Sequence, residues 1–135
     1  MAFAGYLIKI GDYTVPLDLI KYSTYQAYIN TLDLDPFRDG DGYLHRNTLP
    51  HTPSKAEWDT PPITNAELAV LMHGFSQNYT IQYEKTARCT VYIPTLDYYV
   101  VDDMYLADIK PTIYSIDEDT NTILYNPIRI AWVGK

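Results

Sequence analysis

Apolar and polar positions alternate from Tyr6 to Ile10, pause at the turn-forming pair Gly11-Asp12, and resume over Tyr13-Thr14-Val15. That pattern predicts a hairpin at the start of the chain. Ile20 to Ile29 predicts a second strand region, with Ile20, Tyr22, Thr24, Gln26 and Tyr28 on one face and Lys21, Ser23, Tyr25, Ala27 and Ile29 on the other. Neither face is purely apolar, which suits a strand with a partner on each side. A long polar stretch follows from Leu32 to Pro53, punctuated by Pro36, Gly40, Gly42 and Pro50. A break of that length inside a domain is usually functional or disordered rather than a simple connection. Ser54 to Trp58 predicts a short strand, stopped by Pro61-Pro62.

One segment has helical periodicity. Thr64-Asn65-Ala66-Glu67 has the spacing of a capping box, in which Thr64 accepts from the Glu67 amide and Glu67 reaches back. Leu68, Leu71, Met72 and Phe75 then fall at i, i+3, i+4 and i+7, a single apolar stripe. The reading is a helix over 64–76, lying with one oily face across a sheet. Beyond it, Tyr79, Ile81 and Tyr83 alternate with polar neighbours, and a short turn at Lys85 to Ala87 leads into alternating Cys89, Val91 and Ile93. Tyr98 to Val101 and Tyr105 to Ile116 predict two more strands, and Ile123 to Tyr125 and Ile128 to Val133 close the chain. The pairs and runs Asp102-Asp103 and Asp117-Glu118-Asp119 read as solvated turns. With about eight strands and a single helix, the fold class is mainly β: an antiparallel β-sandwich or partly closed barrel.

Composition narrows the function. The chain of 135 residues is the size of one domain. It carries 17 acidic against 10 basic residues, a formal charge of −7, and its basic residues are scattered singly. Holding nucleic acid by its phosphates requires clustered Lys and Arg, so that class is disfavoured. No apolar run approaches the ~18 residues of a membrane span, and no charged-then-apolar leader opens the sequence. The expectation is a protein made in a cytoplasm without membrane anchoring. Cys89 is the single cysteine, set in a strand pattern, and reads as a buried, inert thiol. Tyrosine is the outlier, with 14 residues against three Phe and two Trp. Tyrosine favours strands and half-wet surfaces, including interfaces.

The stretch Asp33 to Arg46, DLDPFRDGDGYLHR, has the look of a calcium loop, yet each register fails. Starting at Asp35 puts Phe37 at position 3 and Arg46 at position 12. Starting at Asp33 puts Leu44 at 12, and starting at Asp39 puts Leu44 at 6, where the calcium hand needs glycine. Asp-Gly-Asp-Gly reads instead as a tight turn. His45 and His51 have no acidic residue at zinc-ligand spacing, and His73 flanks the helix stripe. Ser23, Ser54, Ser76 and Ser115 lack a nucleophile context. The sequon Asn78-Tyr79-Thr80 has no secretory setting. No catalytic set, metal or cofactor is expected.

The order of short motifs carries a resemblance. It runs through Arg38-Asp39 with Gly42 and Arg46, Glu57-Trp58, the helix entry Pro61 to Glu67, Tyr79 to Tyr83, and Thr90 to Ile93. This pattern resembles small tail proteins of Firmicutes bacteriophages and prophages, an uncharacterised family similar to the tail-tube or tail-tip (baseplate hub) fold. It covers Gly5 to Ile116, leaving residues 120–135 as a C-terminal extension of a single domain. The resemblance implies a structural virion protein that forms a ring around a DNA conduit, with self-association and neighbouring tail proteins as partners. Genomic DNA would pass through the lumen without specific binding, and assembly would take place in the host cytoplasm. The loop over 32–53 occupies the place of an intersubunit arm. Phe37, Arg38, Asp39, Asp41, Tyr43 and Arg46 are the side chains expected to meet a neighbouring subunit. The alternative is a carbohydrate-binding β-sandwich of a host-adhesion device, in which exposed tyrosines with Trp58 or Trp132 stack on sugars and Asp39 or Asp41 holds calcium.

Overall fold

The hairpin predicted at the start of the chain forms from β1 (Ile8–Ile10) and β2 (Tyr13–Thr14), with Gly11 at positive φ in the turn. The computed structural model describes residues 2–29, 37–38, 40–42, 44–45 and 53–135. After the hairpin come the 3-10 turns η1 (Leu17–Leu19) and η2 (Tyr22–Thr24), then β3 (Gln26–Ile29). A small hairpin of β4 (Phe37–Arg38) and β5 (Leu44–His45) precedes β6 (Ser54–Asp59), β7 (Ile63–Thr64) and α1 (Asn65–Ser76). The second half contains β8 (Tyr79–Ile81), η3 (Gln82–Glu84), β9 (Thr86–Ile93), β10 (Tyr98–Leu106), β11 (Ile113–Asp117), β12 (Thr122–Tyr125) and β13 (Arg129–Gly134).

The large sheet runs β2-β1-β9-β10-β13-β6-β3, with β8 also on β9, and all of its pairings are antiparallel. The fold is therefore mainly β and sandwich-like, with one α-helix and no closed barrel among the described residues. The sheet curls until β3, at one end of the order, approaches β9. The Tyr25 hydroxyl latches this closure, donating to the carbonyl of Tyr92 at 2.7 Å and approaching that of Leu7 at 3.2 Å. Burial of that phenol, with Tyr99 and Tyr92 nearby, raises its pKa.

Alternation puts Ala56 and Trp58 of β6, Ala87, Cys89, Val91 and Ile93 of β9, and Ile130 and Trp132 of β13 on one inner face. α1 seals that face. Its capping box is formed: the Glu67 amide donates to Thr64 Oγ1 at 3.3 Å, and the Thr64 amide to Glu67 Oε1 at 3.1 Å. Leu71 and Phe75 are buried, and Leu68 and Met72 are half-buried against the core. Phe75 meets Trp132 edge-on at 5.3 Å and Tyr13 at 6.0 Å. Gly74 is buried too, and the Tyr13 ring occupies the space a Cβ would take, 2.6 Å from its ideal position.

The structure corrects several expectations. Only Gln26–Ile29 of the region from Ile20 to Ile29 is strand. The residues before it coil because Lys21 donates its amide to the Asp59 carbonyl and Thr24 Oγ1 accepts the Asp59 amide at 2.8 Å, tying the segment to the end of β6. Tyr83 belongs to η3, which closes on Lys85 in the left-handed region. Asp102-Asp103 is no turn but the middle of β10, which runs unbroken from Tyr98 to Leu106. Asp103 pairs with Arg88 on the outer face at 3.2 Å, and Asp102 accepts the Ser54 amide at 3.0 Å. The strand read from Tyr105 to Ile116 is instead split, ending at Leu106 and restarting at Ile113 after Pro111. Residues 120–135 are no appendage. They supply β13, which lies inside the large sheet between β10 and β6.

Candidate functional site

The residues singled out in the acidic loop divide three ways. Phe37 and Arg38 form β4 and pair with His45 and Leu44, and Gly40, Asp41 and Gly42, the last at positive φ, lie in the turn between the two strands. The side chains of Phe37 and Arg38 lie outside the described residues, as do Asp39, Tyr43 and Arg46 altogether. Asp41 is exposed at the turn. Trp58 and Trp132, the indoles invoked for stacking on sugars, are completely buried and cannot meet a carbohydrate ring. Cys89 is buried on the core side of β9, and burial, reinforced by the charges of Asp102 and Asp103, pushes its thiol pKa up to about 12. It packs as a core residue. His73 is exposed on α1, away from the oily stripe. Among the described residues no helix is long and apolar enough to cross a membrane.

What the sequence did not announce is a pair of apolar surfaces at different places on the molecule. The first is an arm. β11 and β12 form a hairpin held to the body through β12, which pairs with β7 and meets α1, the Ile123 amide donating to Asn65 Oδ1 at 3.2 Å, and every residue of β11 is exposed. Ile113, Tyr114 and Ile116 are 53, 70 and 60% exposed. A bulge at Tyr114 resets the alternation: Ile113 lies opposite Tyr125 and Ile116 opposite Ile123. Because Tyr125 and Ile123 are two apart, all four side chains share one face. At Tyr125 that face packs on the core; at Ile113 and Ile116 it has run out past it. The turn at its tip carries Asp117, Glu118 and Asp119, and none of the three has an ion-pair partner among the described residues.

The second is a groove of about 330 Å³ between the N-terminal segment and the two 3-10 turns, walled by Phe3, Leu7, Leu17, Tyr22 and Tyr25. Its floor is held by a tyrosine network. Phe3 packs edge-on to Tyr92 at 5.5 Å, and Tyr6 stacks on Tyr99 at 4.6 Å. The Tyr99 hydroxyl accepts from the Ala4 amide at 2.8 Å and donates to the Tyr6 carbonyl at 2.6 Å. Tyr92 donates to Asp97 at 2.7 Å, and that bond raises its phenol pKa. These bonds hold the N-terminal segment against the sheet and so shape the groove. Lys21 immediately precedes Tyr22, and Lys9 lies 5.3 Å above the Tyr6 ring. Neither has a carboxylate partner among the described residues, whereas Lys55, Lys85, Arg88, Arg129 and Lys135 all do.

Comparison with known proteins adds a family and a fold. The model of a "Family of unknown function (DUF6711)" matches residues 1–135, and the chain belongs to that family. No curated protein matches it. The fold is similar to that of a chain in the tail of an empty GTA particle, a structure computed with helical refinement and C6 symmetry. The TM-score is 0.52 at 12% sequence identity, over 99% of this chain and 95% of that one. At that identity the likeness is one of fold.

Proposed function

Starting from that membership and that fold, we propose that the chain is a structural protein of a phage-like tail. Its copies associate into a ring of the tail tube or the tail-tip hub, and it performs no catalysis. The observation that supports the reading is the fold match, which spans nearly the whole of both chains rather than one shared motif. The surface is in keeping with it. A ring subunit needs two different, mutually complementary patches, because a head-to-tail contact closes into a ring when its rotation permits. The net charge of −7 suits a conduit for DNA, since like charge keeps phosphates from adhering to the wall. In this reading the genome passes through without specific binding, the neighbouring tail proteins stack on the ring, and the virion is where the protein resides. The loop residues Phe37, Arg38, Asp39, Asp41, Tyr43 and Arg46 remain proposed neighbour contacts.

The test is the oligomeric state of the purified chain across a concentration series, by light scattering and negative-stain microscopy. Closed rings are expected, with sixfold order by analogy with the C6 tail. A chain that remains a monodisperse monomer at high concentration, with no ring in the presence of its neighbouring tail proteins, would overturn the proposal.

A further inference from the structure

We propose that the β11–β12 arm of one copy seats its Ile113–Ile116 face in the groove of Phe3, Leu7, Leu17, Tyr22 and Tyr25 on the next copy. The inference rests on the ring reading and names the contact that builds the ring. Among the described residues neither surface is covered: Ile113 and Ile116 are exposed at the outer end of the arm, and Tyr22 is 65% exposed in the groove wall. The arm leaves the body at β7, beside the start of α1, whereas the groove lies between the N-terminal segment and the 3-10 turns. On a chain whose copies are identical, one patch seated in a different patch of the next copy makes a heterologous contact.

Two further observations select this occupant over an unrelated partner. The charges match: among the described residues the arm tip holds Asp117, Glu118 and Asp119 without cationic partners, and Lys21, next to Tyr22 of the groove wall, has no anionic one. The free edge of β11 gives the second. An exposed apolar strand with an open edge is an aggregation hazard unless something covers it, and among the described residues β11 pairs only with β12. Seating against a neighbour removes that hazard, while the acidic tip keeps unassembled arms from pairing with each other by like-charge repulsion.

A cross-linking experiment on the full chain tests this. Tyr22→Cys and Ile116→Cys are both exposed substitutions, and the native Cys89 is buried away from solvent. Under mild oxidation the double variant should give a covalent ladder that climbs past dimer to the full ring. Each single variant should stop at dimer, since a chain with one reactive thiol cannot extend a ladder. Lys21→Glu should slow the ladder, and Glu118→Lys added to it should restore the rate. If the double variant forms rings by light scattering but yields nothing covalent above dimer, the arm does not seat in the groove and the ring reading survives. If neither it nor the unmodified chain assembles, both fall.

Discussion

Replacing Gly74 by Ala should destabilise the protein, although helix propensity alone predicts the opposite. Gly in a helix interior costs about 1 kcal/mol relative to Ala, so a substitution into open space would gain about that amount. At Gly74 the new methyl would lie 2.6, 2.7 and 2.8 Å from Cε1, Cδ1 and Cζ of Tyr13, well inside contact distance. That ring is held edge-on against Phe75 at 6.0 Å, so it moves only by giving up part of the seal over Trp132. Overpacking of this kind costs about 1–3 kcal/mol. Setting about 2 kcal/mol of strain against about 1 kcal/mol of propensity leaves Gly74→Ala less stable by about 1 kcal/mol. The sign should reverse once the ring is removed. In a Tyr13→Ala background, Gly74→Ala should gain about 1 kcal/mol, giving a coupling of about 2 kcal/mol across the double-mutant cycle. Urea unfolding followed by fluorescence reads all four proteins, because Trp58 and Trp132 are both fully buried. A gain of about 1 kcal/mol from Gly74→Ala in both backgrounds would refute the reasoning, since Tyr13 would then not be pressed on the helix.

Three other expectations can be measured alongside. The Cys89 thiol is raised from 9.0 to about 12, so the unfolded chain releases this proton first; the thiol's contribution is intact below pH 9 and lost as pH climbs towards 12. At pH 10 the loss is about 1.4 kcal/mol; Cys89→Ala should remove that share of the difference between urea melts at pH 8 and pH 10, and an unchanged difference would contradict it. Tyr25→Phe deletes the latch to the Tyr92 carbonyl and should cost about 1 kcal/mol, read as a lower thermal midpoint; an unaltered midpoint would mean the hydroxyl does not hold the sheet closed. Ile29 pairs directly with Ser54, so the chain between β3 and β6 can be replaced over 31–52 by a short Gly-rich turn. Shorter loop closure should raise stability by about 1.5 kcal/mol while ring formation is lost; a variant that fails to fold would show that this segment belongs to the core.

Local signals were the legible ones. The capping box at Thr64 and Glu67 and the stripe through Leu71 and Phe75 lie within one helix, and the Gly11-Asp12 turn lies within one hairpin. The misread segments depend on distant partners. Asp102 and Asp103 look like turn residues until Ser54, 48 positions away, and Arg88, 15 away, supply what satisfies them within a strand. Thr24 coils because of Asp59, 35 residues on. β13 looked like an extension because its place between β10 and β6 is set by long-range pairing. The arm was hidden for a different reason. Ile113 and Ile116 are spaced for neither face of a regular strand, and only the bulge at Tyr114 puts them together. The groove is likewise assembled from the N-terminal segment, η1 and η2, of which only η2 falls inside the run from Ile20 to Ile29 that reads as a strand.

The central claim, that this fold is a ring subunit of a tail, is met most directly by class averages of the purified chain in negative stain. Closed rings with one repeating contact per subunit are expected. Fields of single, unassociated particles at every concentration, with and without the neighbouring tail proteins, would contradict it.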